Sequence, residues 1–298
     1  MKANTHLSNS IPAGAAGVPG PTRRTPTQRS LGAAWMLARR EWVRFFRQPF
    51  RVIAALGQPI LFWVLFGTGL HGAFRGASEG ENFMTYFLPG TTALILLFTA
   101  IFSTISIIED RREGFLQGVL VAPPARWAIV LGKSLGGAAI AWAQAIFFLG
   151  LALVVGALPF GAGLVGLGAF LFLAAVGITC LGVCFAWPMD STQGYHAAMN
   201  LVLLPMWLLS GAFFPVPAME LGQPVGQSIM HWFMRVNPMT YIVAGIRHCM
   251  HTGLEAAVPP SGWVPSVGLC WWITIAFVVG TAVAATWIVQ RRQRGEFQ

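Results

Sequence analysis

The sequence predicts an all-α integral membrane protein with six transmembrane helices, a cytoplasmic amphipathic interface helix, and short re-entrant helices before the last span. Three observations carry this reading. Of the 298 residues, 55% are hydrophobic and only 10% charged, with a mean hydropathy of +0.64; a soluble domain carries about a quarter charged residues, so an ordinary water-soluble enzyme is excluded. Six runs free of Asp, Glu, Lys and Arg cover residues 52–70, 87–108, 134–156, 164–186, 197–213 and 269–289. At about 1.5 Å per helical residue each is of the length needed to cross a hydrocarbon layer about 30 Å thick, the fifth being the shortest. Finally, threading these runs with the N-terminus inside puts 16 of the 19 Lys and Arg residues on the cytoplasmic side, leaving only Arg75, Arg235 and Arg247 outside. Cations are retained on that side, so both termini are expected in the cytoplasm.

The elements follow in chain order. Residues 1–30 hold Pro12, Pro19, Pro21 and Pro26 among Gly, Ser and Thr, too little apolar surface to offset ordering entropy, and are expected to form a disordered cytoplasmic tail. From Leu31 the pattern changes. At 100° per residue Trp35, Ala38, Trp42, Phe45 and Phe46 fall on one face and Arg40, Arg44 and Arg47 opposite, until Pro49 ends the helix. Such a helix is expected to lie in the headgroup layer. After the second run, five consecutive charged residues from Glu109 to Glu113 precede a short amphipathic stretch stopped by Pro123-Pro124. The segment suits presentation of one helical turn to a soluble partner. Before the last run, residues 214–267 include Trp232, Phe233, Met234, Met239, Tyr241, Ile242 and Ile246. An apolar stretch of that size needs cover, which predicts one or two short helices dipping back against the bundle, broken at Asn237-Pro238. Residues 31–290 thus form one transmembrane domain, and residues 291–298 a basic cytoplasmic tail.

Chemistry is sparse. Gly132-Lys133-Ser134 matches the end of a phosphate-binding loop, but the required earlier glycine is replaced by Trp127. Lys133 reads instead as a headgroup anchor. Arg247-His248-Cys249-Met250-His251 offers soft ligands without a second cluster, so no metal is expected. Glu41, Asp190 and the other carboxylates look scattered, and no catalytic arrangement emerges. No run holds a carboxylate, whereas ion-coupled carriers need an ionisable group near the midplane. Asn200, Gln58 and Gln144 are the main polar side chains at depth, suited to bonds between helices. The basic charge of +9 sits beside apolar runs, which points to a lipid bilayer rather than nucleic acid.

Four motifs in order carry a resemblance to a known family. They are the basic helix from Arg40-Glu41-Trp42 to Arg47; the segment 109–123 followed by Leu131-Gly132-Lys133; Leu209-Ser210-Gly211-Ala212-Phe213-Phe214-Pro215; and Asn237-Pro238-Met239-Thr240-Tyr241 with Arg247. On a six-span topology this resembles the type-2 ABC export permeases, which include daunorubicin-type drug efflux, nodulation-oligosaccharide and polysaccharide exporters. The resemblance implies a transport subunit rather than an enzyme, moving an amphipathic, lipid-linked or drug-like cargo out of the cytoplasm. It implies pairing with a second permease, identical or paralogous, and a separate ATPase subunit that binds the ATP and Mg; this chain itself would hold no cofactor. The implied ATPase contact is Arg111, Arg112, Glu113, Gly114, Phe115, Gln117 and Leu120, beside an interface helix bearing Arg40, Glu41, Arg44 and Arg47. The implied cargo path is Phe62, Trp63, Phe98, Phe102, Asn200 and Met206, on spans one, two and five. A carrier or channel not driven by ATP is the alternative; a lipid-modifying membrane enzyme would call for a span-end cluster of His, Asp or Glu.

Overall fold

The computed structural model describes residues 25–69, 83–121, 125–158, 163–213, 215–217, 224–250 and 263–291. These residues are almost wholly helical. In chain order they form α1 (Pro26–Phe46), α2 (Pro49–Gly69), α3 (Phe83–Ser103), α4 (Ile105–Arg112), α5 (Phe115–Val121), α6 (Arg126–Val154), α7 (Gly163–Ala186), α8 (Thr192–Trp207), a π-helical turn (Leu208–Ala212), α9 (Val225–Val236), α10 (Pro238–Met250) and α11 (Val267–Arg291). Most of the expected tail, through residue 24, and the basic tail from residue 292 lie outside the described residues.

Among the described residues four stretches are long and apolar enough to cross a membrane: Met84–Arg112, which joins α3 to α4, then Arg126–Val154, Gly163–Ala186 and Val267–Arg291. The six-run expectation also included α2 and α8. In α2 the apolar stretch Ala55–Gly69 is shorter, while α8 covers 16 residues and hands over to the π-helical turn. The joined α3–α4 stretch is the centre of the bundle, with 83% of its apolar window buried, whereas α11 at 11% lies on the periphery. Around α3 pack α2, α6, α7 and α8, with α10 filling one end. Polar groups at depth bond across helices: Thr99 donates to Gln144 Oε1 at 2.5 Å and Trp207 Nε1 to the Gly90 carbonyl at 2.8 Å.

Two boundaries differ from expectation for identifiable reasons. Helix α1 starts five residues before Leu31, at Pro26, because Thr25 and Gln28 form a reciprocal capping box and proline suits the first helical turn. Residues 26–30 therefore belong to the helix rather than the tail. Helix α6 starts at Arg126 instead of near Ser134, so Lys133 lies inside it; its charge is matched by carboxylates, as described next.

Helix α1 docks along α6 more extensively than any other helix pair. Its buried stripe is Ser30, Ala34, Leu37, Glu41 and Phe45, at helical spacing. The opposing stripe on α6 is Gly132 and Gly136, where an added Cβ would come within 2.6 Å of the Ala34 carbonyl and 2.9 Å of Glu41 Cβ. Only glycine permits this approach. Of the aromatic face, Trp35, Trp42 and Phe46 are exposed and only Phe45 is buried, so that face is left for other surroundings, while the side turned toward α6 includes a carboxylate.

Candidate functional site

At the end of the bundle carrying α1, six ionised side chains meet. Lys133 from α6 is 4% exposed and donates to Glu41 Oε1 at 2.5 Å, to Asp110 Oδ2, and to Ser106 Oγ at 3.2 Å. Asp110, fully buried on α4, accepts a two-pronged bond from Arg40, 2.8 Å on each oxygen, and a further bond from Arg44 at 3.1 Å. Arg44 also donates to Glu109 at 2.8 Å. Three cations face three anions, and the acceptor capacity of Asp110 is filled. Buried ions are tolerable only when paired and hydrogen-bonded in this manner. The bond to Asp110 holds the Arg40 guanidinium above its ordinary range, so it stays charged.

Lys133 is therefore not a headgroup anchor, and Glu41 and Asp110 are not scattered: they neutralise one another across α1, α4 and α6. Sequence reasoning missed this cluster because its hydrogen-bonded partners lie 23 to 92 residues apart. One signal was available, since Glu41 falls in helical register with Ala34, Leu37 and Phe45. Of the interface residues, Arg40, Glu41 and Arg44 join the cluster, whereas Arg47 is exposed and stays outside it.

Helix α5 follows directly. Gly114 has φ +75°, a left-handed turn that glycine adopts without strain, and this swings the chain from α4 into α5. The Arg40 guanidinium lies 3.9 Å from the centre of the Phe115 ring, and Leu116 is buried. Arg111 donates to Asp190 at 3.0 Å and to the Trp187 carbonyl at 2.6 Å, and Arg112 donates to the Asp190 carbonyl at 3.0 Å. Arg111 and Arg112 also tie this corner to the α7–α8 connection, with Arg112 exposed. Glu113, Gly114, Phe115 and Gly118 form the exposed surface. The side chains of Gln117 and Leu120 lie outside the described residues.

The opposite end holds two short helices, α9 and α10, broken at Asn237; α10 is largely buried, whereas α9 leaves Val225, Ile229, Trp232, Phe233 and Val236 exposed. Here α8 unwinds through the π-helical turn, with Gly211 at φ +80°. Freed carbonyls need other donors. Asn237 Nδ2 supplies Met206 at 2.6 Å and Leu209 at 3.0 Å, while its Oδ1 accepts from the Met239 N–H at 3.0 Å. Thr240 Oγ1 donates to the Met234 carbonyl at 2.5 Å, with the Leu209 carbonyl farther off at 3.3 Å, and Arg247 reaches Gly211 at 3.4 Å. Two sequence motifs, Leu209 to Pro215 and Asn237 to Tyr241 with Arg247, are thus two sides of one junction.

Between α1, α2, α3 and α8 lies a cleft of about 440 Å³ whose wall includes Phe45, Phe62, Phe98, Phe102, His196 and Trp207. Phe62, Phe98 and Phe102 of the expected path meet there. The other three do not line it. Trp63 is 1% exposed, stands edge-on to Phe148 and donates to the Met84 carbonyl at 3.1 Å, so it is a packing residue. Asn200 is exposed elsewhere on α8, and Met206 packs against the core. Thr99, Ser103 and Glu109 add polar groups to the cleft wall, although Glu109 is engaged by Arg44.

Comparison with known proteins agrees with this architecture. The family model described as ABC-2 type transporter matches residues 32–251. A protein of Cyanophora paradoxa named for a transport permease, ycf38, is 29% identical over 221 residues, covering 72% of both chains. The daunorubicin resistance ABC transporter permease protein DrrB1 of Streptomyces coeruleorubidus is 25% identical over 240 residues, 78% of each chain. Nodulation protein J of Rhizobium leguminosarum bv. viciae is 25% identical over 246 residues, 78% of this chain and 85% of that protein.

Proposed function

The chain belongs to the ABC-2 type transporter family and is a membrane permease subunit; from that premise we propose that it serves an ATP-driven exporter of amphipathic cargo. In this reading α2 and α8 complete a six-span set, both termini lie in the cytoplasm of a bacterial cell, and the charged end faces a separate ATPase that binds ATP and Mg. A second permease, identical or paralogous, pairs with it.

The observation that carries the proposal is the ionic cluster beside α5. It fastens α1, α4 and α6 together, and Arg40 and Arg44 reach from it to Phe115 and Glu113. A push on α5 from a soluble partner would therefore reach two spans at once, through charge pairs that resist stretching. The cleft supports the cargo class: its aromatic wall would hold apolar surface at about 25 cal/mol per Å², and DrrB1 is named for daunorubicin resistance.

Vesicles containing the permease and the ATPase with which it co-purifies test the reading. Gly114→Pro cannot keep φ +75° and should reorient α5, reducing ATP-dependent transport about tenfold or more while membrane insertion is retained. Transport that runs on a proton gradient without ATP would replace the exporter by a carrier. Orientation is tested separately by impermeant thiol labelling in a cysteine-less background: Ser78→Cys should react from outside, and Gln298→Cys should not.

A further inference from the structure

We propose that a recess at the charged end, where α6 begins and α11 ends, binds the phosphate of an anionic phospholipid. The recess encloses about 510 Å³ and is lined by Ala125, Arg126, Trp127, Trp287, Gln290 and Arg291. Among the described residues its charge is uncompensated. The arginines of the ionic cluster are saturated by Asp110 and Glu109, but neither Arg126 nor Arg291 forms an ion pair among the described residues, and no carboxylate lines the recess. Arg126 uses one N–H on the Gln290 carbonyl at 3.1 Å, leaving the rest of its donor fork open. Arg291 lies with its Cζ 3.7 Å from the centre of the Trp287 ring, a stacking that fixes the plane while its N–H edges stay available. Two guanidiniums over one concavity suit a phosphate, which takes paired N–H donors from arginine.

Position and wall select a lipid over a free anion. Helices α6 and α11 are both long and apolar enough to span, so their shared end stands at headgroup depth. Trp127 and Trp287, 37% and 51% exposed, are the amphipathic residues favoured there. Along α11, Trp287 continues into the exposed Val283, Val279 and Trp272, a track for acyl chains below a bound headgroup. Basic pockets between spans are known to hold anionic headgroups. The inference rests on the membrane-spanning reading of α6 and α11; only the choice of leaflet rests on the proposed orientation.

The full chain in detergent, titrated with dioctanoyl phosphatidylglycerol and read by native mass spectrometry, provides the test. Wild type should retain this lipid in preference to dioctanoyl phosphatidylcholine. Arg126→Gln with Arg291→Gln should weaken retention about thirtyfold, since each cation near an anionic surface is worth roughly a factor of five. Arg291→Gln alone, which breaks no side-chain hydrogen bond among the described residues, should weaken it about fivefold and covers the case in which the double variant fails to fold. Arg39→Gln, an exposed cation of α1 outside the recess, should leave the preference intact. Equal retention by the Arg291 variant, equal retention of the two lipids by wild type, or displacement by millimolar inorganic phosphate would each overturn the lipid site. Detergent exposes both leaflets' chemistry alike, so a wrong orientation would surface in the labelling experiment and not here.

Discussion

At the α1 end of the bundle, ionised side chains are withdrawn from solvent and neutralise one another; at the α9–α10 end, backbone carbonyls are released by a broken helix and are capped by neutral groups and one arginine. Both junctions join segments far apart in sequence, and both satisfy polar atoms inside an apolar bundle. They differ in what is lost when one partner is removed. A buried unpaired charge costs far more than a buried unpaired carbonyl, so the charged junction should fail steeply and the capped junction gradually.

The largest expected effect is therefore Lys133→Met. It leaves Glu41 without its closest cation and Asp110 with only its arginines, and breaking a buried pair costs about 3–5 kcal/mol. Thermal unfolding in detergent should show a large loss of stability. Removing both members should recover part of the loss: in a double-mutant cycle with Glu41→Met, a coupling of roughly 0.5–3 kcal/mol is expected. Additivity would mean that the two side chains do not act as a pair.

Gly132→Val comes next. It leaves every charge in place but inserts a side chain where Cβ alone would lie 2.6 Å from the Ala34 carbonyl. Overpacking of this kind costs typically about 1–3 kcal/mol. The α1 segment should become sensitive to protease while the spans stay protected; if the whole domain is cleaved at once, α1 is not a separately docked element.

At the other junction, Asn237→Ala removes the donor shared by Met206 and Leu209. An unsatisfied buried acceptor costs about 1–3 kcal/mol, so the loss should fall below that of Lys133→Met; the single hydroxyl proton of Thr240 is already given to the Met234 carbonyl at 2.5 Å. Hydrogen exchange should accelerate in the π-helical turn first. A loss equal to that of Lys133→Met would dissolve the contrast between the two ends.

The smallest effect is expected for Arg112→Gln, whose single bond to the Asp190 carbonyl lies in an exposed setting. Such surface substitutions usually stay within about 0.5 kcal/mol. Stability should hardly move. A marked fall in ATP-dependent transport at unchanged stability would support the partner contact that the family resemblance implies for Arg112.

The sequence by itself determined the class of protein, because composition and run length decide whether a helix is stable in lipid without reference to any neighbour. It also placed the break at Asn237-Pro238, a local consequence of proline geometry, and marked the motifs that identify the family. Tertiary structure alone decided which way α1 faces. Its aromatic residues and its carboxylate both have helical periodicity, and only the two glycines of α6 make the carboxylate side the one that can approach closely. The same holds for Lys133 and Asp110, and for the division of the expected cargo path into three cleft residues, a packing tryptophan and two residues elsewhere. A charge read alone looks like solvent-facing polarity. Its counter-ion is brought to it by folding, so burial becomes tolerable only when both are in place.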